Sequence, residues 1–119
     1  MAQSMRFVRA TIRPIRLEQV LDALARVGLH NPSVTDTKIY GQQGPMQICR
    51  GAQFPTKYLP MLEINAAVPS EQVERVARAI ADAARTGQGE DGDILVFDLD
   101  HAQRICIGEV SGNQPRQAA

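Results

Sequence analysis

The sequence predicts an α+β fold in which two helices cover one face of a four-stranded antiparallel sheet. Apolar residues alternate with polar ones in four short segments, which is typical of half-buried strands. In two other segments they recur every three or four residues, which is typical of amphipathic helices. With 119 residues, of which 44% are hydrophobic, the chain can build one core but not two. We expect a single domain over residues 1–112 and a flexible tail over 113–119.

The first half of the chain predicts a strand, a helix, a second strand and a long loop. Residues 6–13 mix apolar and charged side chains and stop at Pro14. A helical stripe begins at Leu17 and ends at Gly28. Alternation returns over residues 33–41, whereas residues 42–57 are rich in glycine and proline and favour a loop. A loop of that length in a compact domain usually has a function.

The second half predicts a strand over residues 58–68, a helix and a final strand over 94–99. Pro69 closes the first of these strands, and Ser70 is the expected N-cap of the helix. The helix carries one apolar stripe, formed by Val73, Val76, Ala77, Ile80, Ala83 and Ala84. A glycine-rich turn covers residues 86–93, and a further short strand is expected over 103–107. This order is the ferredoxin-like βαββαβ arrangement, which leaves one sheet face for neighbouring subunits to cover.

Charge and composition exclude several classes of function. The chain has 13 Lys and Arg against 13 Asp and Glu, so no basic excess favours nucleic acid or an anionic membrane. No apolar run reaches the roughly 18 to 20 residues of a membrane span, and the first residues lack the pattern of a signal peptide. Cys49 and Cys106 have no neighbouring cysteine or paired histidines, so we expect reduced thiols and no tightly bound metal. These features favour a cytoplasmic protein that neither binds nucleic acid nor inserts into a membrane.

The glycine-rich turn over residues 86–93 is a candidate anion site. Glycines let backbone N–H groups approach an anion closely, and successive N–H groups can surround phosphate oxygens. A helix C-cap at Gly87 followed by an Asp–Gly turn would explain the same residues and is the commoner meaning of such a pattern.

Several fragments, in their order and spacing, resemble the PII signal-transduction family over residues 7–109. Residues 10–14 and 17–20 are similar to its first strand and helix, and residues 34–38 to the strand that enters its flexible T-loop, here about 42–57. Residues 50–54 and 59–60 resemble the T-loop exit, residues 86–93 the phosphate-binding B-loop, and residues 104–109 the C-terminal segment. The resemblance implies a PII-like homotrimer that binds adenine nucleotides between subunits and contacts a target protein through the T-loop.

The resemblance also implies which residues contact the nucleotide. Residues near adenine and ribose would be Ile39, Tyr40, Gly41, Asn65 and Ala67, together with Ser33 of a neighbouring chain. Residues at the phosphates would be Gly87, Gly89, Glu90, Asp91, Gly92 and Asp93, together with Arg104 of an adjacent chain. From the residues alone, Tyr40 and Ile64 are expected in the core.

Departures from the family pattern predict which nucleotide is preferred. Asp93 stands where a lysine usually contacts the outer phosphates, and Cys106 replaces a second basic residue. Exchanging a cation for an anion there removes one attractive term and adds one repulsive term, each about 4 kcal/mol at about 4 Å and an effective dielectric constant near 20 before screening. We therefore expect ADP or AMP to compete better with ATP than in typical relatives.

Other departures concern the second ligand and the T-loop. Gln43 is available for 2-oxoglutarate, but Met61 replaces the lysine of that site, and a thioether cannot pair with a carboxylate. We expect a smaller anion instead, with Arg50, Arg13 and Lys38 as candidate contacts. Phe54 occupies the position of the modified tyrosine, so there is no hydroxyl to uridylylate. These losses match a carboxysome-associated branch for which bicarbonate is the natural second ligand.

The favoured function is a ligand-gated interaction protein in inorganic-carbon metabolism that is not an enzyme. A nitrogen-regulatory PII protein is the first alternative. A small phosphohydrolase of the same fold is another, because Glu90, Asp91 and Asp93 cluster in the turn, although no serine, histidine or metal pair accompanies them. A structural trimer of the related CutA-like type is the third.

Overall fold

A computed structural model describes residues 4–40, 46–49, 52–55 and 58–105, with the backbone alone in the two short middle segments. Its strands are β1 (Met5–Ile12), β2 (Ser33–Tyr40), β3 (Met46–Cys49), β4 (Ala52–Pro55), β5 (Tyr58–Pro69) and β6 (Gly92–Asp98). Its α-helices are α1 (Leu17–Arg26) and α2 (Val73–Ala84), each preceded by a 3₁₀ turn, Pro14–Arg16 and Ser70–Gln72. Within the described residues no helix has the length and apolar character needed to cross a membrane.

The main sheet has the strand order β2-β5-β1-β6, and every neighbouring pair is antiparallel. Val8 of the central strand β1 lies opposite Ala66 on one side and Val96 on the other. Both helices pack on one face of this sheet, so the predicted ferredoxin-like sandwich is confirmed. The opposite face carries no helix in the described part of the chain.

The core lies between the helices and the sheet, and its main cluster of buried residues is aliphatic. Its largest buried side chains are Ile12, Leu24, Ile64, Ile80, Val8, Val20, Val68 and Val76. The predicted stripes provide Val20 and Leu24 of α1 and Val76, Ile80 and Ala84 of α2. Each such side chain contributes roughly 1.5 to 3 kcal/mol when it is fully buried. Ile64 lies in the core as expected.

Tyr40 is not a core residue, and the prediction that it is buried was wrong. Its side chain is 54% exposed, and its ring packs against Tyr58, its partner across β2 and β5, with the ring centroids 5.3 Å apart. β2 is an edge strand in which every residue except Thr37 is exposed, so the pair is not part of the apolar core. Aromatic pairing across strands stabilises it instead.

The predicted long loop over residues 42–57 contains a β-hairpin, which corrects the expectation of a structureless segment. Strands β3 and β4 pair antiparallel, with Met46 opposite Pro55 and Cys49 opposite Ala52. Residues 46–49 alternate apolar and polar side chains, and two residues separate the strands, which is the commonest hairpin spacing. The glycines and prolines around the hairpin favour a loop, and the four-residue alternation is too short to outweigh them in a prediction from sequence.

Two further local predictions differ from the structure. Ser70 does not cap α2, because a 3₁₀ turn precedes the helix and the Ser70 hydroxyl donates a hydrogen bond to Ser4 Oγ at 2.9 Å. No strand forms over residues 103–105, and the rest of that predicted strand lies outside the described residues, as does the predicted flexible tail over 113–119.

Candidate functional site

The turn between α2 and β6 is closed by the carboxylate of Asp91. Asp91 Oδ2 accepts hydrogen bonds from the backbone N–H groups of Thr86 at 2.8 Å and Gly87 at 3.1 Å. Its Oδ1 accepts a short hydrogen bond from the Thr86 hydroxyl. The N–H of Gln88 then donates to Thr86 Oγ1 at 3.2 Å. One carboxylate and one hydroxyl therefore satisfy the N–H groups of Thr86, Gly87 and Gln88.

Arg13, directly after β1, forms an ion pair with Asp91 of this turn. Its Nε lies 3.2 Å from Asp91 Oδ1, and the two side chains are only 25% and 20% exposed. The hydrogen bonds from Thr86, followed by those from Gly87 and the charge of Arg13, lower the pKa of Asp91 to about 2. Asp91 is thus ionised at neutral pH, and both of its carboxylate oxygens have partners in the turn or in Arg13. Arg13, which was expected as an anion contact, is occupied by this ion pair.

The turn leaves fewer donors for an anion than the sequence predicted. Gly87 was expected to offer its N–H to phosphate, but that N–H donates to Asp91. Among the described residues, the N–H groups of Gly89 and Glu90 have no hydrogen-bond partner, whereas the N–H of Asp91 donates to the Gly89 carbonyl at 2.8 Å. An anion would therefore be held at the exposed tip of the turn, by Gly89 and Glu90.

Gly92 allows β6 to begin directly against β1. A Cβ at this position would lie 1.7 Å from the carbonyl oxygen of Thr11, and its φ of +116° lies in the region that favours glycine. No side chain fits there without movement of the backbone. Gly92 therefore fixes how close the turn lies to the sheet.

A cavity of about 260 Å³ adjoins the turn at the edge of the sheet. It is lined by Thr11, Ile12, Ile80, Ala81, Ala84, Arg85, Asp91, Gly92, Asp93 and Ile94. Ligand pockets usually measure about 300 to 1,000 Å³, so one chain encloses too little space for a whole nucleotide. Arg85 is a cation at this cavity that the sequence reasoning missed. Its position directly before Thr86-Gly87 is the signal that could have revealed it.

The sheet register places part of the predicted nucleotide site at one end of the sheet. β6 begins at Gly92, opposite Ile12 of β1, so the turn lies at this end. Ile39 and Tyr40 form the end of β2 on the same side, where Tyr40 lies opposite Tyr58. We call this group, with the turn over residues 86–93, the loop-end group.

The other predicted residues lie away from that end: Asn65 pairs with Arg9 in the middle of β1, and Ala67 pairs with Phe7 beyond it. Ser33 is the first residue of β2 and lies opposite Asn65, and Ala67 is two residues further along β5. Arg104 comes six residues after Asp98, the last residue of β6. We call Ser33, Asn65, Ala67 and Arg104 the far-end group. Seven residues of extended strand, about 23 Å, separate Ser33 from Tyr40. The sequence had grouped Asn65 and Ala67 with Tyr40, and the register places them with Ser33 instead.

Arg104 carries an unusual polar atom. Within residues 4–40 and 58–105, its Nε is the one buried side-chain nitrogen or oxygen that has no hydrogen-bond partner. Leaving a buried donor unpaired costs about 1 to 3 kcal/mol, and more for a charged group. This atom is therefore a candidate contact for a ligand or for a second chain.

Several predicted residues lie outside what the structure describes. Gly41, Gln43, Arg50 and Cys106 belong to undescribed segments, and the side chain of Phe54 is likewise undescribed although its backbone lies in β4. Met61 is described and is 3% exposed. Across the described segments, no group of three or more His, Cys, Asp or Glu residues could hold a metal ion.

These features define a two-layer α+β protein with a glycine-rich turn at one end of its sheet. The sequence model of the family described as nitrogen regulatory protein P-II matches residues 5–109, so the chain belongs to this family of regulatory signalling proteins. It is 45% identical to the nitrogen regulatory protein P-II of Rhizobium etli over 88% of this chain and 95% of that one. It is 36% identical to the nitrogen regulatory protein GlnK of Escherichia coli K12, with the same coverage.

The fold agrees with a solved structure of the family. The crystal structure of Arabidopsis thaliana PII bound to citrate superimposes with a TM-score of 0.74 over 92% of this chain and 90% of that one, at 28% identity. The resemblance identified from the sequence fragments is therefore confirmed at the level of the family.

Proposed function

We propose that the protein is a homotrimeric PII-like regulator that binds adenine nucleotides in the clefts between subunits. The observation that carries this proposal is the separation of Tyr40 from Ser33 and Asn65 by seven residues along β2 and β5. Ser33 and Asn65 lie about 23 Å from Tyr40 along these strands, so they cannot surround the same adenosine as Tyr40 of their own chain. A site that uses both groups needs the loop end of one chain and the far end of another.

Two features of the described residues support a shared site. The cavity beside the turn, about 260 Å³, is too small for a nucleotide by itself. The buried Nε of Arg104, in the far-end group, has no partner within the described chain. A phosphate bound at the turn of a neighbouring chain would supply an anionic partner for that guanidinium.

The charge beside the turn favours ADP or AMP over ATP. Asp93 follows Gly92 and lines the cavity together with Asp91, while Arg85 is the cation among the lining residues. Arg85 also lies 3.5 Å from Asp82 in an exposed ion pair, which reduces its availability. Each phosphate added near Asp93 adds repulsion, so the third should contribute least to binding.

Isothermal titration with AMP, ADP and ATP tests both parts of this proposal. We expect one nucleotide per chain and affinities for AMP or ADP at least as high as that for ATP. Strong selectivity for ATP would contradict the predicted order of nucleotide affinities but would leave the proposed site intact. Absence of binding by every adenylate, or binding by a monomer, would overturn the site.

The proposed second ligand is a small anion such as bicarbonate. Met61 is buried and uncharged, so it cannot pair with a carboxylate of 2-oxoglutarate. Titration of the nucleotide-loaded protein with bicarbonate, 2-oxoglutarate and chloride distinguishes the candidates. A response to 2-oxoglutarate would favour the nitrogen-regulatory alternative, which the names of the P-II and GlnK relatives make the second candidate function.

In this proposal the protein acts in the cytoplasm, and it signals by contacting a target protein and not by catalysis. Nucleotide and anion would set the conformation of the T-loop, residues 42–57, which would contact a transporter or enzyme of inorganic-carbon metabolism. Asp91, the best-placed carboxylate for a phosphohydrolase, is occupied by Thr86, Gly87 and Arg13. Multiple-turnover release of phosphate from ATP would favour the phosphohydrolase.

A further inference from the structure

Helix α2 ends earlier than its own sequence specifies. Gly87 has a positive φ of +82°, as is typical of the glycine that caps a helix, and with this cap the helix would include Arg85. Instead α2 ends at Ala84, and Arg85 is extended, with φ −69° and ψ 126°. The last turn of α2, which the structure describes in full, contains no basic residue to stabilise the negative end of the helix. The residues of α2 therefore do not explain where it ends.

Arg16 supplies the contact that the helix lacks. This residue ends the 3₁₀ turn between β1 and α1, and its Nε donates a hydrogen bond to the carbonyl oxygen of Ala83 at 2.9 Å. The last four carbonyls of a helix have no partner within the helix, and a cation beside them is favourable. Arg16 is 67 residues from Ala83 in the chain, so the end of α2 is held by a tertiary contact.

The Ala83 carbonyl is also the acceptor that a longer helix would use. In a helix capped by Gly87, the Gly87 N–H donates to the carbonyl four residues earlier, which is that of Ala83. In the structure this carbonyl accepts from Arg16, and the Gly87 N–H donates to Asp91 Oδ2 at 3.1 Å. Arg16 and Asp91 thus take the two partners of one helical hydrogen bond. Extension of the helix has to compete with both contacts.

The corner over residues 13–16 joins the helix end to the turn over residues 86–93. The N–H of Arg16 donates to the Arg13 carbonyl at 3.0 Å, and Arg13 forms the ion pair with Asp91 at 3.2 Å. A longer helix would take the Gly87 N–H away from Asp91 and shorten the turn. The N–H groups at the tip of the turn would then move relative to the sheet.

We infer that Arg16 is a positioning residue for the turn over residues 86–93. By holding the Ala83 carbonyl it ends α2 before Arg85, and it thereby sets where the N–H groups of Gly89 and Glu90 lie. The effect on nucleotides rests on the proposed nucleotide site, whereas the position of the helix end does not depend on it.

Arg16→Met tests this role, because methionine is a long side chain without a donor or a charge. We expect the ¹³Cα chemical shift of Arg85, measured by NMR on the full chain, to be typical of extended backbone in the wild type and of helix in Arg16→Met. Arg16→Gln should keep the wild-type shift, because its amide nitrogen occupies the same place along the side chain as Nε and can donate to Ala83. Arg78→Met is the matched control, since it removes the same charge from an exposed position within α2.

Calorimetry with ADP and adenosine gives a second readout. We expect the affinity for ADP to fall about tenfold in Arg16→Met, because misplaced N–H groups lose hydrogen bonds to phosphate. The affinity for adenosine, which has no phosphate, should change little. General destabilisation of the fold would lower the melting temperature without separating the two ligands.

Each outcome decides a different part. The same Arg85 shift in Arg16→Met and the wild type overturns the effect of Arg16 on the helix end, and a changed shift with unchanged ADP affinity overturns its positioning role. If the wild type binds no adenylate, the proposed nucleotide site fails, and the Arg85 shift still decides whether Arg16 sets the helix end. If Arg16→Met does not fold, Arg16→Ser takes its place, because Arg16 is the N-cap residue of α1 and serine is favoured there but cannot reach Ala83.

Discussion

Asp91 holds the turn over residues 86–93 through hydrogen bonds from Thr86 and Gly87 and an ion pair with Arg13, and these lower its pKa to about 2. A carboxyl whose pKa is lower in the folded than in the unfolded state stabilises the fold fully above its ordinary pKa, about 4, and loses that effect as the pH falls through the folded value. We therefore expect Asp91→Asn to lower the melting temperature at neutral pH. The difference from wild type should shrink between pH 4 and pH 2.

Thermal unfolding followed by circular dichroism across this pH range checks the prediction. Asp98→Asn is the control, because Asp98 is 85% exposed in its ion pair with Arg6 and such pairs contribute little. A constant difference between wild type and Asp91→Asn at every pH would show that the ionised carboxylate is not the cause.

Asp93 offers a second test at the level of one side chain. Asp93→Lys replaces repulsion with attraction beside the cavity, and the gain should increase with the number of phosphates. Because the side chain is exposed and screened by salt, we expect the ratio of ATP to AMP affinity to rise about tenfold rather than by the full Coulomb energy. Calorimetry measures that ratio. Asp100→Lys, beyond the end of β6, gives the same charge change away from the turn, and an equal rise there would refute a local effect.

At the scale of elements, the junction of the turn and β6 depends on Gly92. In Gly92→Ala a Cβ would lie 1.7 Å from the Thr11 carbonyl oxygen, so β6 must move away from β1. Gly28→Ala is the matched control, since Gly28 also has positive φ, +92°, but a Cβ there meets nothing within 4 Å. We expect Gly28→Ala to cost about 1 kcal/mol and Gly92→Ala about 3 kcal/mol or more. Chemical denaturation measures both costs, and equal values would contradict the steric argument.

The elements were predictable where burial imposes a period on the sequence. Val20 and Leu24, like Val76 and Ile80, face one core, and their spacing predicted both helices. The β3–β4 hairpin was missed because its strands are only four residues long and adjoin glycine and proline. Ser70 was assigned as a cap from its residue type, but its hydroxyl bonds to Ser4, which is distant in sequence. Local rules fail where a tertiary contact competes for the same polar group.

At the scale of the whole molecule, the candidate site depends on register, which local sequence does not fix. The sequence predicted both the turn and the far-end residues, but it grouped Asn65 with Tyr40. The antiparallel pairing of β2 and β5 places Asn65 opposite Ser33, at the other end from Tyr40. Likewise, Arg9 of β1 donates a hydrogen bond to Asn65 of β5, which is 56 residues further along the chain. Such placements follow from long-range pairing and could not be obtained from residue types alone.

The proposed division of the nucleotide site between chains predicts complementation between two defective variants. Tyr40→Ala damages the loop-end group and Arg104→Ala damages the far-end group, so each homotrimer should bind nucleotide weakly at all sites. A cyclic trimer that contains both variants has one junction where an intact loop end meets an intact far end, whichever variant is present twice. Mixed trimers, purified through two different tags, should therefore bind about one nucleotide per trimer with nearly wild-type affinity. Calorimetry on these trimers and on both homotrimers measures the recovery. If mixed trimers bind no better than the homotrimers, the two groups do not combine across a subunit boundary.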